Sequence, residues 1–311
     1  MIDAFLVVLP IFGLIFAGWI AGRRGVLGAQ ATPELNRFVI WLAIPAMLFG
    51  AAAEADAQAL WQPALVVSYA VAGMVTMAIA MLVARARRVP LADAALDGLN
   101  ASYPNVGFMG FPIALTAMGP EAMVPTTICA LLTMCVIFAV SIVFIETGLQ
   151  EDQKPWPLIR NVALQIIRNP LIVAPLAGAL FPVLGLGLPG PAARFLDLLG
   201  GAAAPCALVI IGLFLANNPV RIDRNRLGRV AFLIVLKLGL QPLVALGLAL
   251  WLGLGSLGTA VVVVMAALPT GTGAFMLAEY YDRQTQESAE VIILSTLVSV
   301  ITVSLCIGLL A

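Results

Sequence analysis

The sequence predicts an all-α membrane protein with ten transmembrane helices in two inverted repeats of five, helices 4 and 9 each being broken. Three observations lead there. The 311 residues are 62% hydrophobic and 10% charged, with a mean hydropathy of +1.07, whereas soluble domains carry roughly 25% charged residues. Of the 16 Lys and Arg, 14 fall on alternate connections. A proline leading into glycines occurs twice inside apolar segments, at Pro104 and Pro269.

A hydrocarbon core of about 30 Å needs ~20 apolar residues per helix. The apolar segments run over about 4–22, 33–52, 61–84, 93–118, 122–146, 159–184, 192–217, 228–253, 257–281 and 288–310. The first is no signal peptide by pattern, because Arg23 and Arg24 follow the apolar stretch instead of preceding it. Gly18 and Gly22 give it a small-residue face suited to close helix packing. Helix 2 contains Pro45 and helix 8 contains Pro242, each read as an ordinary kink. Helix 4 carries Ser102-Tyr103-Pro104-Asn105-Val106-Gly107-Phe108-Met109-Gly110, and helix 9 carries Leu268-Pro269-Thr270-Gly271-Thr272-Gly273. Proline removes a backbone donor and clashes with the preceding turn, so both helices should break there. The polar stretch from Glu146 to Pro157 joins the two halves. Helix 9 closes with Glu279, read as a solvated terminal charge. Trp19, Trp41, Trp61, Trp156 and Trp251 fall toward helix ends, as interfacial anchors do.

Charge sets the expected orientation. The connections after helices 1, 3, 5, 7 and 9, with their flanking turns, hold Arg23, Arg24 and Arg37, then Arg85, Arg87 and Arg88, then Lys154, Arg160 and Arg168, then Arg221, Arg224, Arg226 and Arg229, and finally Arg283. The opposite side has Arg194, and Lys237 lies within helix 8. The positive-inside rule puts those connections in the cytoplasm and both termini outside, in a multi-pass protein of the cell (inner) membrane. Pro10, Ala17-Gly18 and Pro45 recur as Pro170, Ala177-Gly178 and Pro205, all shifted by 160. Five helices per half is an odd number, so the halves, residues 1–150 and 151–311, must be inverted relative to each other.

The candidate chemistry lies at the breaks. A broken helix is tolerated in a membrane where it is buried in protein or lines a cavity, and two at matching places point to a transporter binding site. Asn105, Thr270 and Thr272 stand beside Pro104 and Pro269 and can satisfy freed backbone groups; Gly107, Gly110, Gly271 and Gly273 allow close approach. The half-helix after each break offers unpaired N–H groups and a positive dipole end suited to a carboxylate. Lys237 could attract an anion, snorkel toward the cytoplasm, or pair with a carbonyl freed by Pro242; Gln241 is a hydrogen-bonding candidate one turn on. Asn100 and Ser102 could belong to the site or bond neighbouring helices.

Several function classes are disfavoured. There is no histidine and no mid-membrane carboxylate pair, so an enzyme, a metal centre and a cofactor are not expected. Zero net charge gives no reason to expect nucleic acid. Cys129, Cys135, Cys206 and Cys306 lie in apolar segments without metal-ligand spacing. A channel would need a ring of pore charges or an aromatic filter, and neither is visible. A sodium-coupled symporter stays open, although the acidic residues keep to helix ends and a sodium site needs several oxygen ligands.

Asn105-Val106-Gly107-Phe108-Met109-Gly110-Phe111-Pro112, Asn169-Pro170-Leu171-Ile172, Lys237-Leu238 with Pro242, and Leu268-Pro269-Thr270-Gly271 together resemble bacterial members of the auxin efflux carrier family. That family includes the plant PIN carriers and bacterial proteins assigned as malonate or malate transporters. The resemblance spans the whole chain and implies a fold shared with bile-acid sodium symporters, in which helices 4 and 9 cross. It implies a scaffold of helices 1, 2, 6 and 7, a moving domain of helices 3–5 and 8–10, an elevator motion, and a homodimer through the scaffold. Asn105 and Thr270 would then sit where a small carboxylate such as malonate, malate or an indole acid binds. The long hydrophilic central loop of many plant members is missing here, so control through that loop is not implied.

Overall fold

The computed structural model describes residues 2–28, 30–54, 62–149, 170–217 and 224–310. Among them every regular element is helical. We number the helices α1 (Ile2–Arg23), α2 (Ala31–Ala53), α3 (Pro63–Ala86), α4a (Leu91–Ser102), α4b (Val106–Met118), α5 (Pro120–Leu149), α6 (Pro170–Val183), α7 (Gly190–Asn217), α8 (Arg226–Trp251), α9a (Ser256–Ala267), α9b (Gly273–Tyr280) and α10 (Thr285–Leu310). Six of them, α2, α3, α5, α7, α8 and α10, are long and apolar enough to cross a membrane. The expected helix start at 159, Asn169, Trp61, Trp156 and the joining stretch beyond Leu149 lie outside the described residues.

Five prolines go with interruptions, in two styles. At Pro45, Pro112 and Pro242 the chain stays helical but widens into a π turn just upstream, over Val39–Ala43, Val106–Gly110 and Leu236–Leu240. The wider turn accommodates the missing donor and the proline ring, so the kinks expected at Pro45 and Pro242 take this form. At Pro104 and Pro269 the helix stops outright. Tyr103 is extended (φ −96°, ψ 92°) and Leu268 takes φ −59°, ψ 150°.

Packing interleaves the two halves of the sequence. α1 lies along α7, and α2 packs on both α6 and α7. α4a packs on α3 and α5, and α9a packs on α8 and α10. The main core cluster draws Ile15, Leu48, Phe111, Ile211, Val264 and Ile307 from helices along the whole chain. At the α1–α7 contact, a side chain on Gly212 would strike the backbone of Ile15 and Trp19, and one on Gly18 would strike Val209. Trp41 and Trp251 are exposed, whereas Trp19 stacks on Phe16 and lies under the Arg23 guanidinium.

Candidate functional site

The two stops meet. Pro104 and Thr270 form an antiparallel bridge, in which Asn105 N–H donates to the Pro269 carbonyl at 2.8 Å and Gly271 N–H donates to the Tyr103 carbonyl at 2.8 Å. These two bonds satisfy four backbone groups that the breaks release, each of which would otherwise cost several kcal/mol in an apolar surround. The approach is close enough to demand glycine. A Cβ at Gly271 would lie 2.9 Å from the Tyr103 ring and 3.2 Å from Asn105 Cα, and one at Gly273 would lie 2.8 Å from the Tyr103 hydroxyl.

Four helix ends therefore converge, and they are treated unequally. At the negative ends, where α4a and α9a stop, side chains answer the carbonyls of Asn100, Ser102 and Ala266. The Thr270 hydroxyl donates to Asn100 C=O at 2.7 Å. Gln241 Nε2 donates to Ser102 C=O at 3.1 Å, and Lys237 Nζ donates to Ala266 C=O at 2.6 Å. In an unbroken helix the Ala266 carbonyl would accept from the N–H of Thr270. Here that N–H donates to Ser295 Oγ at 3.1 Å instead. The positive ends, where α4b and α9b begin, receive no side-chain cap.

All the residues singled out at the breaks are placed within this arrangement or beside it. Pro104, Asn105, Pro269, Thr270 and Gly271 form the crossing itself and are buried. Thr272 precedes α9b and Gly107 lies in the first turn of α4b, both half-buried. Asn100 Nδ2 donates to Ser288 Oγ at 2.9 Å, and Ser102 Oγ donates within its own helix to Gly98 C=O at 2.7 Å. Lys237 is fully buried, so it does not snorkel, and its carbonyl partner is freed by the Pro269 break rather than by Pro242. Two buried acceptors, Asn100 Oδ1 and Gln241 Oε1, find no partner among the described residues.

Three contributors escaped the sequence reading. Tyr103 roofs the glycines, and Ser288 and Ser295 of α10 supply bonds to the first and second break segments respectively. The serines are seven residues apart, on one helix face, which is the signal that could have found them. A cavity of about 990 Å³ also opens beside the site, between α2, α7, α4b and α5, lined by Gly50, Leu115, Met123 and Leu196. Phe111 and Pro112, just beyond the crossing, form part of its wall.

Charged side chains at the other end of α4a form a second constellation. Arg283 pairs with Asp93 at 2.7 Å, Arg229 with Asp97 at 2.8 Å, and Arg226 with Glu287 at 3.3 Å. Tyr281 donates to Glu146 at 2.6 Å. The Asp93 carboxylate holds the Arg283 guanidinium above its ordinary pKa. Glu279 is exposed, as a solvated terminal charge would be. No group of His, Cys, Asp and Glu among the described residues is arranged to hold a metal ion.

Comparison with known proteins adds the biological frame. The family model described as "Membrane transport protein" matches residues 3–307. A Rhizobium meliloti protein assigned as a malonate transporter is 30% identical over 299 residues, covering 96% of this chain and 92% of that one. An uncharacterized transporter of Methanothermobacter thermautotrophicus is 28% identical, covering 96% and 95%. An Oryza sativa protein assigned as auxin efflux carrier component 5c is 26% identical over 148 residues, covering 46% and 40%.

Proposed function

The chain belongs to the membrane transport protein family that includes the auxin efflux carriers, and from that premise we propose that it is a secondary carrier of small organic anions working by an elevator motion. The family is one of transporters rather than enzymes. The observation that carries the anion reading is the inequality of the four helix ends. Donor side chains cover the carbonyls of Ala266, Ser102 and Asn100, while the N-cap residues of α4b and α9b, Asn105 and Thr272, make no side-chain cap bond. A carboxylate is the ligand that positive dipole ends without a side-chain cap favour.

The packing supports ten crossings in two inverted repeats. Shifting every helix number by five maps α1 on α7 onto α6 on α2, α3 on α4a onto α8 on α9a, and α4a on α5 onto α9a on α10, and each of these contacts occurs. The ion pairs support one moving body. Asp93–Arg283, Asp97–Arg229 and Arg226–Glu287 all join members of the set α3–α5 and α8–α10. The frame would be α1, α2, α6 and α7, which also offers the surface for a homodimer. On the positive-inside rule both termini face outward.

A panel of radiolabelled short carboxylates in proteoliposomes tests the activity; no saturable uptake of any acid would reject it. Cysteines at Gly50 of α2 and Leu115 of α4b, which line one cavity, test the motion. Cross-linking them should stop transport while leaving binding intact, and unimpeded transport would reject the division into frame and carrier. Arg87→Cys should react in whole cells only with permeant thiol reagents and Glu121→Cys with impermeant ones. The reverse pattern would refute the orientation.

A further inference from the structure

We infer that the cavity between α2, α7, α4b and α5 is a second binding site, one that takes an organic cation with a compact apolar body. Binding there is independent of the carrier reading above; its effect on transport rests on that reading.

The cavity holds about 990 Å³, within the roughly 300–1,000 Å³ that small-molecule ligands occupy. Its wall is mostly apolar, Leu115, Met123 and Leu196 among it. Three carboxylates join the lining: Glu54 where α2 ends, Glu121 where α5 begins, and Asp197 of α7. All three are exposed, and none is in an ion pair among the described residues. The described lining includes no Lys or Arg; Arg194, also on α7, lies outside it. A cleft of one sign between low-dielectric walls concentrates ions of the opposite sign. That field disfavours a lipid phosphate. It also disfavours the acid attributed to the crossing, where the starting helices present positive ends. The two places therefore call for ligands of opposite charge. An inorganic cation fits poorly, because no group of Asp and Glu among the described residues is arranged to hold a metal ion, and apolar walls offer no shell of oxygens. An apolar body with a fixed positive charge answers both parts of the lining. The body takes Leu115, Met123 and Leu196 out of water, while the charge stays at the wet rim among the carboxylates. The walls come from α2 and α7 on one side and α4b and α5 on the other. An occupant would span the proposed division between frame and carrier and hold the two together.

The probe is 1-adamantyltrimethylammonium, a permanent cation, with 1-adamantanol as its neutral counterpart. In detergent the cation should raise the unfolding temperature of the purified protein saturably, and the alcohol should bind about tenfold more weakly or worse. Replacing the carboxylates together, by Glu54→Gln, Glu121→Gln and Asp197→Asn, should weaken cation binding to the level of the alcohol. Raised salt should weaken it in wild type. Gly50→Phe keeps the carboxylates and fills the cavity. A Cβ at Gly50 would meet Leu196 Cβ at 3.8 Å, an ordinary contact, so the protein should fold and lose both probes. In proteoliposomes the cation should lower the maximal rate of acid uptake and leave half-saturation unchanged. No saturable stabilisation of wild type, equal binding of cation and alcohol, or wild-type affinity in the three-site variant or in Gly50→Phe would overturn the inference. Competition with the carried acid would also overturn it, by placing the cation at the crossing. If the three-site variant fails to fold, the salt series and Gly50→Phe decide. Full uptake at saturating cation would reject the division into frame and carrier, not the site. If no acid is carried at all, the carrier reading fails, while the unfolding measurements still decide the inference.

Discussion

At the α1–α7 contact Gly18 and Gly212 bring two helix backbones together, whereas at the crossing Tyr103–Asn105 and Pro269–Gly271 meet through paired N–H and C=O groups. Both are close approaches between distant parts of the chain, yet the chemistry differs. The first joins two helices that stay continuous where they meet and needs only the absence of side chains. The second gives up helical bonds and must replace each one. A contact of the first kind suits a fixed frame. One of the second kind leaves polar backbone available to a ligand, and it survives only because side chains from α8 and α10 complete it.

The sharpest way to break this contrast is to fill the dry contact. Gly212→Leu should be the most damaging change, because the atoms in its way belong to the α1 backbone and cannot rotate aside. Overpacking costs ~1–3 kcal/mol where neighbours can shift, and more is expected here. The readout is loss of monodisperse protein and a lowered unfolding temperature, without any selective effect on transport.

The crossing should respond in the opposite sense. Asn105→Ala and Thr270→Val should remove most transport while leaving a folded protein. Thr270→Val leaves the Asn100 carbonyl without its donor, a loss of ~1–3 kcal/mol, whereas Thr270→Ser keeps the hydroxyl and should retain activity. Wild-type transport in both Asn105→Ala and Thr270→Val would take the crossing out of the mechanism.

The smallest effects belong to the charged end of α4a. Arg283→Gln should lower stability by about 1 kcal/mol or less, an effect that added salt reduces, because the pair with Asp93 is partly exposed. Tyr281→Phe should cost about 1 kcal/mol through its bond to Glu146. Half-saturation for the carried acid should be unchanged in both, and a large change would mean that this end contributes to the site.

How much could be read in advance follows the same contrast. Pro104 and Pro269 are legible because a proline followed by glycines in an apolar run has few structural readings. Gly18 and Gly22 are legible for a similar reason, since small residues four apart mark a helix face. Their partner Gly212 was not singled out, because which helix meets α1 depends on the fold. Ser288 and Ser295 were passed over because serine in a transmembrane helix usually bonds its own backbone, as Ser299 and Ser304 do here.

By itself the sequence determined the elements: where apolar runs begin and end, where Pro104 and Pro269 stop a helix, and which connections carry positive charge. These are local consequences of hydropathy, backbone donors and charge. It left three roles open for Lys237 and two each for Asn100 and Ser102. Only the tertiary structure decided that Lys237 caps α9a at Ala266, that Ser295 takes the N–H of Thr270, and that Gln241 reaches Ser102. The reason is physical. A break releases donors and acceptors at once, and which side chain answers each depends on what lies within about 3 Å, a distance that residues 25 to 139 positions apart in the chain acquire only when the helices pack.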